Sequence, residues 1–153
     1  MGTLFVSKKA IVMSKSIKWK LNLKSTPNKV FQFITTDEGR KLFWAENTIE
    51  EEGQIHFEFI NGVKEVAKIM EFVPNKKMSL RYFESNVTFF LEKNKSQGTD
   101  LTLLNTKVNE EEYIEIYAGW ISVLFALKGA IDFGVDLRNH NPNKTWNQLY
   151  IEN

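Results

Sequence analysis

The sequence contains no cysteine and only two histidines, His56 and His140. Without cysteine, disulfide bonds, thiol nucleophiles and cysteine-ligated metal sites are excluded. The metal site that remains possible is one formed by the two histidines and by carboxylates, and no ligand spacing around the histidines supports it. Asp100 and Asp132 have no evident partner base, so acid–base catalysis is not indicated. We therefore expect no metal ion, no cofactor and no catalytic residue.

An excess of charge of one sign is also missing. The 20 Lys and Arg residues against 19 Asp and Glu residues give a net charge of +1. This balance offers no electrostatic attraction to nucleic acid or to an anionic membrane. The longest apolar run, residues 117–127, is shorter than a membrane span, and Lys8 and Lys9 interrupt the apolar N-terminus where a signal peptide would be continuous. We expect a cytoplasmic protein without a membrane span.

Aromatic residues are abundant, at 13% of the chain with 12 Phe and 4 Trp. Because aromatic side chains bury large areas, they indicate either a bulky core or a cavity with aromatic walls. A length of 153 residues predicts one domain. We assign residues 16–153 to that domain and residues 1–15 to a leader or an extra strand.

Alternation of apolar and polar residues predicts a series of short strands. Asn61-Gly62 is the strongest hairpin signal, a second turn is expected at Ser85-Asn86, and mixed parity predicts a bulge in residues 63–73, where Met70 and Phe72 are expected to share a face. Short turns favour antiparallel neighbours. The predicted strands are residues 16–24, 48–52, 54–60, 63–73, 78–84, 87–93 and 99–108.

Two short helices are predicted after the first strand. Thr26 is a suitable N-cap and Pro27 suits a first helical turn, while Asp37 and Glu38 open the second helix. A much longer helix is predicted at residues 110–134.

The long helix carries apolar residues at i, i+3, i+4 and i+7 spacing, as on a buried helix face. Asn109 is its expected cap, with Glu112 closing a capping box, and Gly134 is its expected end. Strands in series followed by a helix indicate an α+β domain. The long helix is the predicted element large enough to cover the apolar face of the sheet.

This order of elements resembles the START-like, Bet v 1-like superfamily (SRPBCC, polyketide cyclase/dehydrase). Within it, the sequence is similar to the group of the Hsp90 ATPase activator C-terminal domain. The resemblance covers about residues 16–153, and the matching segments are residues 26–31, 34–36, Trp44, Phe57, Asn61-Gly62, 71–78, 87–89, Gly119-Trp120, Leu124, 127–128, 136–140 and 145–146; the tail segments are similar to those of a bacterial subgroup.

The resemblance implies a helix-grip fold. In that fold a curved antiparallel sheet of about seven strands wraps around the long C-terminal helix, and the two short helices close one end. It also implies a cavity between sheet and helix that the superfamily uses for lipids, sterols, polyketides and other apolar molecules. It carries over no catalytic set.

We predict that residues with large apolar bodies or polar tips border this cavity. The first half of the long helix is expected to line it, and the second half, with Leu127, to be packed core. Each candidate has an alternative role in packing, and Arg81 is either a cation for a ligand carboxylate or a solvent-facing residue. The candidates are Trp44, Phe57, Phe59, Met70, Arg81, Tyr82, Phe89, Tyr113, Tyr117 and Trp120.

Three functions remain open. The first is non-catalytic binding or carriage of a small hydrophobic molecule such as a lipid, sterol, polyketide or aromatic compound. The second is a protein-interaction module, as a homodimer or with a chaperone; the chaperone is the weaker expectation, because the sequence lacks the additional N-terminal domain of the eukaryotic activator. The third is a cyclase- or hydrolase-type enzyme, which would need a polar pair with perturbed pKa values in the same cavity.

Overall fold

The computed structural model describes residues 14–153, so the assignment of residues 1–13 as leader or strand lies outside the described residues. Within that range the chain forms three α-helices, α1 (Pro27–Thr35), α2 (Asp37–Lys41) and α3 (Tyr113–Phe133), and short 3-10 turns at Glu110–Glu112 and Trp146–Gln148. The strands are β1 (Ser14–Leu23), β2 (Asn47–Glu51), β3 (Gln54–Glu58), β4 (Lys64–Val73), β5 (Lys77–Tyr82), β6 (Ser85–Lys93) and β7 (Thr99–Asn109).

These strands form one seven-stranded sheet in the order β1-β7-β6-β5-β4-β3-β2, and every neighbouring pair is antiparallel. Strands that follow one another after short turns pair directly, and β1 closes the row by pairing with β7. Helix α3 packs across the sheet and makes its main strand contact with β1. The predicted α+β helix-grip fold is confirmed.

Helix α3 buries one side against the sheet, including Trp120, Leu124, Leu127 and Ile131. By length and hydropathy alone, Glu110–Phe133 is also long and apolar enough to cross a membrane, a test that the core helix of a soluble fold passes equally. The structure shows this helix in the role of a core helix.

The ends of α3 are set by its neighbours in sequence. The Asn109 side chain accepts a hydrogen bond from the backbone N–H of Glu111 and supports a 3-10 turn, so the α-helix proper begins at Tyr113. The expected capping box with Glu112 does not form. Gly134 ends the helix in the left-handed region (φ 65°), where a glycine has no steric penalty.

The hairpin between β5 and β6 turns two residues earlier than predicted. Phe83 and Glu84 occupy the turn with φ of 46° and 59°, and Ser85 is already paired with Tyr82. Two residues with positive φ match the twist of a two-residue hairpin. The sequence indicated Ser85-Asn86 because those residue types favour turns. The actual turn places Tyr82 and Phe83 at the end of the sheet beside α3.

The predicted bulge in β4 lies between Ile69 and Glu71. It reverses the facing of the following residues, so Phe72 packs against Phe31 with ring centroids 5.2 Å apart. Met70 is 46% exposed on the other side of the strand. The prediction that Met70 and Phe72 share a face is wrong, because Met70 is itself the unpaired extra residue of the bulge, whereas Phe72 pairs with Met78.

A buried ion pair fastens α2 to the edge of the sheet. The fully buried Arg40 side chain donates to the Asp37 carboxylate at 2.6 Å, to Thr48 Oγ1 at 3.2 Å and to the carbonyl of Ile34 at 3.2 Å. Burial lowers the pKa of the Arg40 guanidinium, an effect that Asp37 opposes. These bonds fix the chain just before Trp44, which enters the cavity described next.

Candidate ligand-binding cavity

A cavity of about 800 Å³ lies beside α3, on the flank turned away from β1. Its walls come from the end of the α2 segment, the β3–β4 and β5–β6 connections, α3 and the chain after α3. Most of the lining side chains are apolar. They include Phe43, Trp44, Phe59, Val63, Tyr82, Phe83, Ile116, Gly119, Trp120, Val123, Phe125, Ala126, Leu137, Trp146 and Ile151.

Four of the predicted residues line the cavity: Trp44, Phe59, Tyr82 and Trp120. Three of them touch one another, with ring centroids 5.6 Å apart for Trp44 and Tyr82, 5.8 Å for Tyr82 and Trp120 and 6.0 Å for Trp44 and Trp120. We call these three rings the aromatic wall. Of the three candidates on α3, Trp120 is the one that lies at the cavity.

Two further candidates lie directly behind the aromatic wall. Phe57 is 4.8 Å from Trp44 and Phe89 is 6.2 Å from Trp120, centroid to centroid. Both are buried and neither is part of the cavity lining. Their contacts therefore fix the rings of Trp44 and Trp120 in place.

The remaining candidates lie elsewhere. Tyr117 packs on Trp19 of β1 at 4.7 Å, and Tyr113 stacks on Tyr117 at 5.5 Å. Their spacing puts them on the same face of α3 as Trp120, but α3 lies against β1, so this part of the face fills a helix–strand contact. Arg81 is exposed and donates to the Asn86 side chain, and Met70 is exposed beyond the bulge, so neither lies at the cavity.

The polar atoms of the aromatic wall are held by neutral hydrogen bonds. The buried Asn105 side chain accepts from the Trp120 indole N–H at 2.9 Å and donates to Ser85 Oγ and to the carbonyl of Asn86, both at 2.9 Å. The Trp44 indole donates to the Tyr82 hydroxyl at 3.2 Å. These bonds orient both indoles without placing a charge in the wall.

Titratable groups contribute little to the aromatic wall. Burial raises the pKa of Tyr82 far above its ordinary value, which keeps the phenol neutral. In the part of the chain that the structure describes, no group of three or more His, Asp or Glu side chains is placed to hold a metal ion. What the wall presents is aromatic surface with fixed neutral polar atoms, the arrangement that binds apolar molecules in an oriented way.

The outer wall comes from residues 135–153, which we call the C-terminal segment. Leu137, Arg138, Trp146 and Ile151 of this segment line the cavity. Arg138 donates to the backbone carbonyls of the connection between α2 and β2, at 2.7 Å and 3.0 Å. The segment is therefore attached to the part of the chain that carries Trp44.

A second attachment surrounds His140. One ring nitrogen lies 2.6 Å from an Asp136 oxygen and the other 2.5 Å from a Glu46 oxygen. Since each carboxylate needs a hydrogen-bond donor, both ring nitrogens must carry hydrogen. The contact with Asp136 raises the pKa of His140; desolvation opposes this rise and Glu46 adds to it. Although burial opposes it, hydrogen bonds from Arg138 and His140 lower the pKa of Asp136 to about 2. We call these four side chains the clasp.

The sequence analysis predicted neither the outer wall nor the clasp. The available signals were Trp146 and the closely spaced Asp136, Arg138 and His140, although charged residues in a polar tail usually face solvent. Leu149, in the same segment, is 90% exposed.

Comparison with known proteins identifies the family. Residues 24–132 match the sequence profile of the family described as Activator of Hsp90 ATPase homolog 1-like protein, AHSA1. No curated protein sequence matches the chain. The matched residues end before the C-terminal segment, so the outer wall of the cavity lies beyond them.

Solved structures share the fold at low identity. The Aha1 dimer from Colwellia psychrerythraea has a TM-score of 0.72 at 23% identity, covering 78% of this chain and 98% of that one. Protein SSP2350 from Staphylococcus saprophyticus has a TM-score of 0.72 at 20% identity, covering 81% and 96%. DynU16, from the dynemicin biosynthetic locus, has a TM-score of 0.71 at 14% identity, covering 79% of this chain and 48% of its own. Because the family profile covers most of the domain, the chain belongs to the AHSA1 family of the SRPBCC, Bet v 1-like superfamily.

Proposed function

We propose that the protein binds a small hydrophobic molecule in the cavity beside α3, without transforming it. The observation that carries the proposal is an aromatic-walled space of about 800 Å³, within the size range of sites for drug-sized ligands. The family supports it, since SRPBCC proteins often bind hydrophobic ligands. We propose the cytoplasm as the place of this activity, in line with the expectation from the sequence.

The walls favour a resident ligand over solvent. Trp44 and Trp120 are each 4% exposed and locked by the rings behind them, so collapse of the cavity would require the repacking of a dense core. A bound apolar molecule removes the exposed cavity-facing area from water at about 25 cal/mol per Å². Binding therefore also stabilises the fold, by an amount that grows with ligand concentration.

Gly119 provides a direct test. A Cβ at this position has open space around it, and the residue lines the cavity. Gly119→Leu would project a branched side chain into the cavity, whereas Gly119→Ala adds one methyl group at the same helix position. We expect the fluorescence gain of the neutral probe 1-anilinonaphthalene to be lost in Gly119→Leu and kept in Gly119→Ala, with both variants folded by circular dichroism.

Native mass spectrometry of freshly purified protein, followed by solvent extraction, addresses the natural ligand. Equal probe binding by Gly119→Leu and Gly119→Ala would place the probe outside this cavity. In that case the carrier function would lose its structural basis.

A second candidate function is self-association through an exposed apolar stripe of α3. Ile114 is 82% exposed and Phe125, which also borders the cavity, is 57% exposed on this stripe, and the related Colwellia protein is described as a dimer. Exposed apolar surface of this kind marks interaction sites. A second copy of the chain is the occupant we propose, and the chaperone partner to which the family description points would need the same kind of surface.

Sedimentation velocity distinguishes these cases. Ile114→Lys should convert a dimer to a monomer, while Leu149→Lys, at a similarly exposed apolar residue off the helix, should not. A wild-type protein that remains a monomer across the micromolar range would rule out the homodimer.

A further inference from the structure

Among the described polar groups around the aromatic wall, the hydroxyl hydrogen of Tyr82 has no protein partner. Both amide hydrogens of Asn105 are donated, both indole N–H groups of Trp44 and Trp120 are donated, and Ser85 donates to the carbonyl of Tyr82. The Tyr82 hydroxyl accepts from Trp44, and within residues 14–153 no hydrogen bond donated by it is found. Because Tyr82 is half-buried and lines the cavity, this hydrogen is free to be donated to an acceptor on a ligand there.

The Tyr82 hydroxyl acts there as a neutral donor. Burial raises the pKa of Tyr82, with a smaller contribution from Glu65, so the phenol keeps its proton at neutral pH. Because the Trp44 indole already donates to the oxygen, the phenol is polarised and its own O–H is a better donor. A ligand at the aromatic wall is thus offered a donor and no acceptor.

The charged residues at the cavity disfavour an anionic ligand. Glu112, Glu115 and Glu152 are among the lining residues and are exposed to solvent. Among the described residues, the one lining cation is Arg138, whose guanidinium is engaged by Asp136 and by two backbone carbonyls. A ligand carboxylate would meet three acidic groups and a cation that is already neutralised.

The spacing of the aromatic wall also disfavours a cation held between rings. The centroids of Trp44, Tyr82 and Trp120 are 5.6–6.0 Å apart, which is direct ring-to-ring contact. An ammonium group needs a ring face within about 6 Å and space in front of it. The three rings fill that space with one another.

We propose that the ligand of this cavity is a neutral molecule with an apolar, ring-bearing body and an uncharged acceptor oxygen, such as a ketone carbonyl, that receives the Tyr82 O–H. The proposal rests on the proposed binding function and makes it more specific. Tyr82 would be the residue that orients the ligand and selects for the acceptor.

Benzophenone and diphenylmethane form a matched pair of probes, because they differ in a carbonyl against a methylene at nearly equal size. The quantity to measure is the ratio of their Kd values, from the quenching of tryptophan fluorescence, in wild type and in Tyr82→Phe. Loss of one neutral hydrogen bond should reduce the preference for benzophenone by about 2- to 10-fold. Tyr113→Phe removes a tyrosine hydroxyl outside the cavity and should leave the ratio unchanged.

Two further measurements complete the test. Diphenylacetate, the anionic analogue, should bind more weakly than benzophenone by about tenfold or more, because of the acidic lining. In a 15N–1H spectrum, the Trp44 indole signal should move more with benzophenone than with diphenylmethane, since that indole donates to the responding hydroxyl. This signal decides the question in wild type even if Tyr82→Phe does not fold.

The outcomes separate the two proposals. If both neutral probes bind but Tyr82→Phe leaves their ratio unchanged, the cavity binds apolar molecules and the role of Tyr82 is refuted. Tight binding of diphenylacetate would refute the requirement for a neutral ligand. If none of the three probes binds, the binding function itself fails, and the Tyr82 inference fails with it.

Discussion

Ile116 and Ile131 offer a matched test of where α3 is packed and where it borders the cavity. Both are isoleucines on the same helix, so replacement by alanine removes the same atoms and changes the helix propensity equally. Ile131 is 3% exposed and belongs to the core, whereas Ile116 is half-buried and lines the cavity. We expect Ile131→Ala to lower the free energy of unfolding much more than Ile116→Ala.

The magnitudes follow from burial. Isoleucine to alanine removes three carbon atoms, worth about 2.4 kcal/mol at about 0.8 kcal/mol per buried methylene. At Ile131 a void adds to this and the better helix propensity of alanine subtracts about 0.4 kcal/mol, giving a loss of about 2–4 kcal/mol. At Ile116 only about half of this burial free energy is lost, because the side chain is half-buried. The void also joins an existing cavity, so the expected loss is about 0.5–1 kcal/mol.

Urea unfolding followed by circular dichroism measures both losses. A difference of about 2 kcal/mol corresponds to about 4–8 °C in Tm for a chain of this size, so thermal unfolding provides a second reading. Binding of the neutral probe 1-anilinonaphthalene should change in Ile116→Ala and remain as in wild type in Ile131→Ala. Equal stability losses, with probe binding unchanged in both variants, would show that α3 is uniformly packed and that the cavity is placed on the wrong flank.

The other predictions concern the buried ion pair, a close backbone approach and the clasp. Asp37→Ala leaves the buried Arg40 without its main partner and should cost about 3 kcal/mol in urea unfolding, whereas a loss below about 1 kcal/mol would contradict its structural role. In Gly98→Ala the new Cβ would lie 2.1 Å from a backbone carbonyl oxygen of β1 and should lower Tm strongly, while Gly119→Ala, with free space, should raise stability by up to about 1 kcal/mol. The raised pKa of His140 contributes stability that is fully present below its ordinary value of 6.5 and is lost as pH rises through the folded value, so the protection of the C-terminal segment's amides relative to intrinsic exchange should fall there in wild type and not in His140→Gln.

The fold was predictable because its signals are local. Strict alternation in β1, Asn61-Gly62 at a hairpin and the apolar period of α3 each depend on residues close in sequence. The errors came where residue type and backbone conflict. Phe83 and Glu84 adopt positive φ in a turn although neither type favours it, since the pairing of Tyr82 with Ser85 requires a two-residue turn.

The candidate site was only partly predictable because its position depends on how α3 is placed on the sheet. Tyr113, Tyr117 and Trp120 have the same periodicity, and no local pattern tells which of them meets β1 and which meets the cavity. The packing of Tyr117 against Trp19 decides this, and these two residues lie far apart in the sequence. Trp44 was identifiable, since it follows a short helix that must end near the sheet.

The C-terminal segment links ligand binding to the ion pairs around His140. It forms the outer wall of the cavity, and its attachments, through Arg138 and His140, go to the connection between α2 and β2 that also carries Trp44. A ligand that contacts both Trp44 and the segment stabilises their closed arrangement, and by linkage a closed clasp must raise the affinity for that ligand by the same factor. Protonation of His140 closes the clasp, so benzophenone should bind more tightly below pH 6.5 than at a pH above the raised pKa. Benzophenone itself does not titrate, so an affinity independent of pH would show that the segment forms a wall without responding to the ligand.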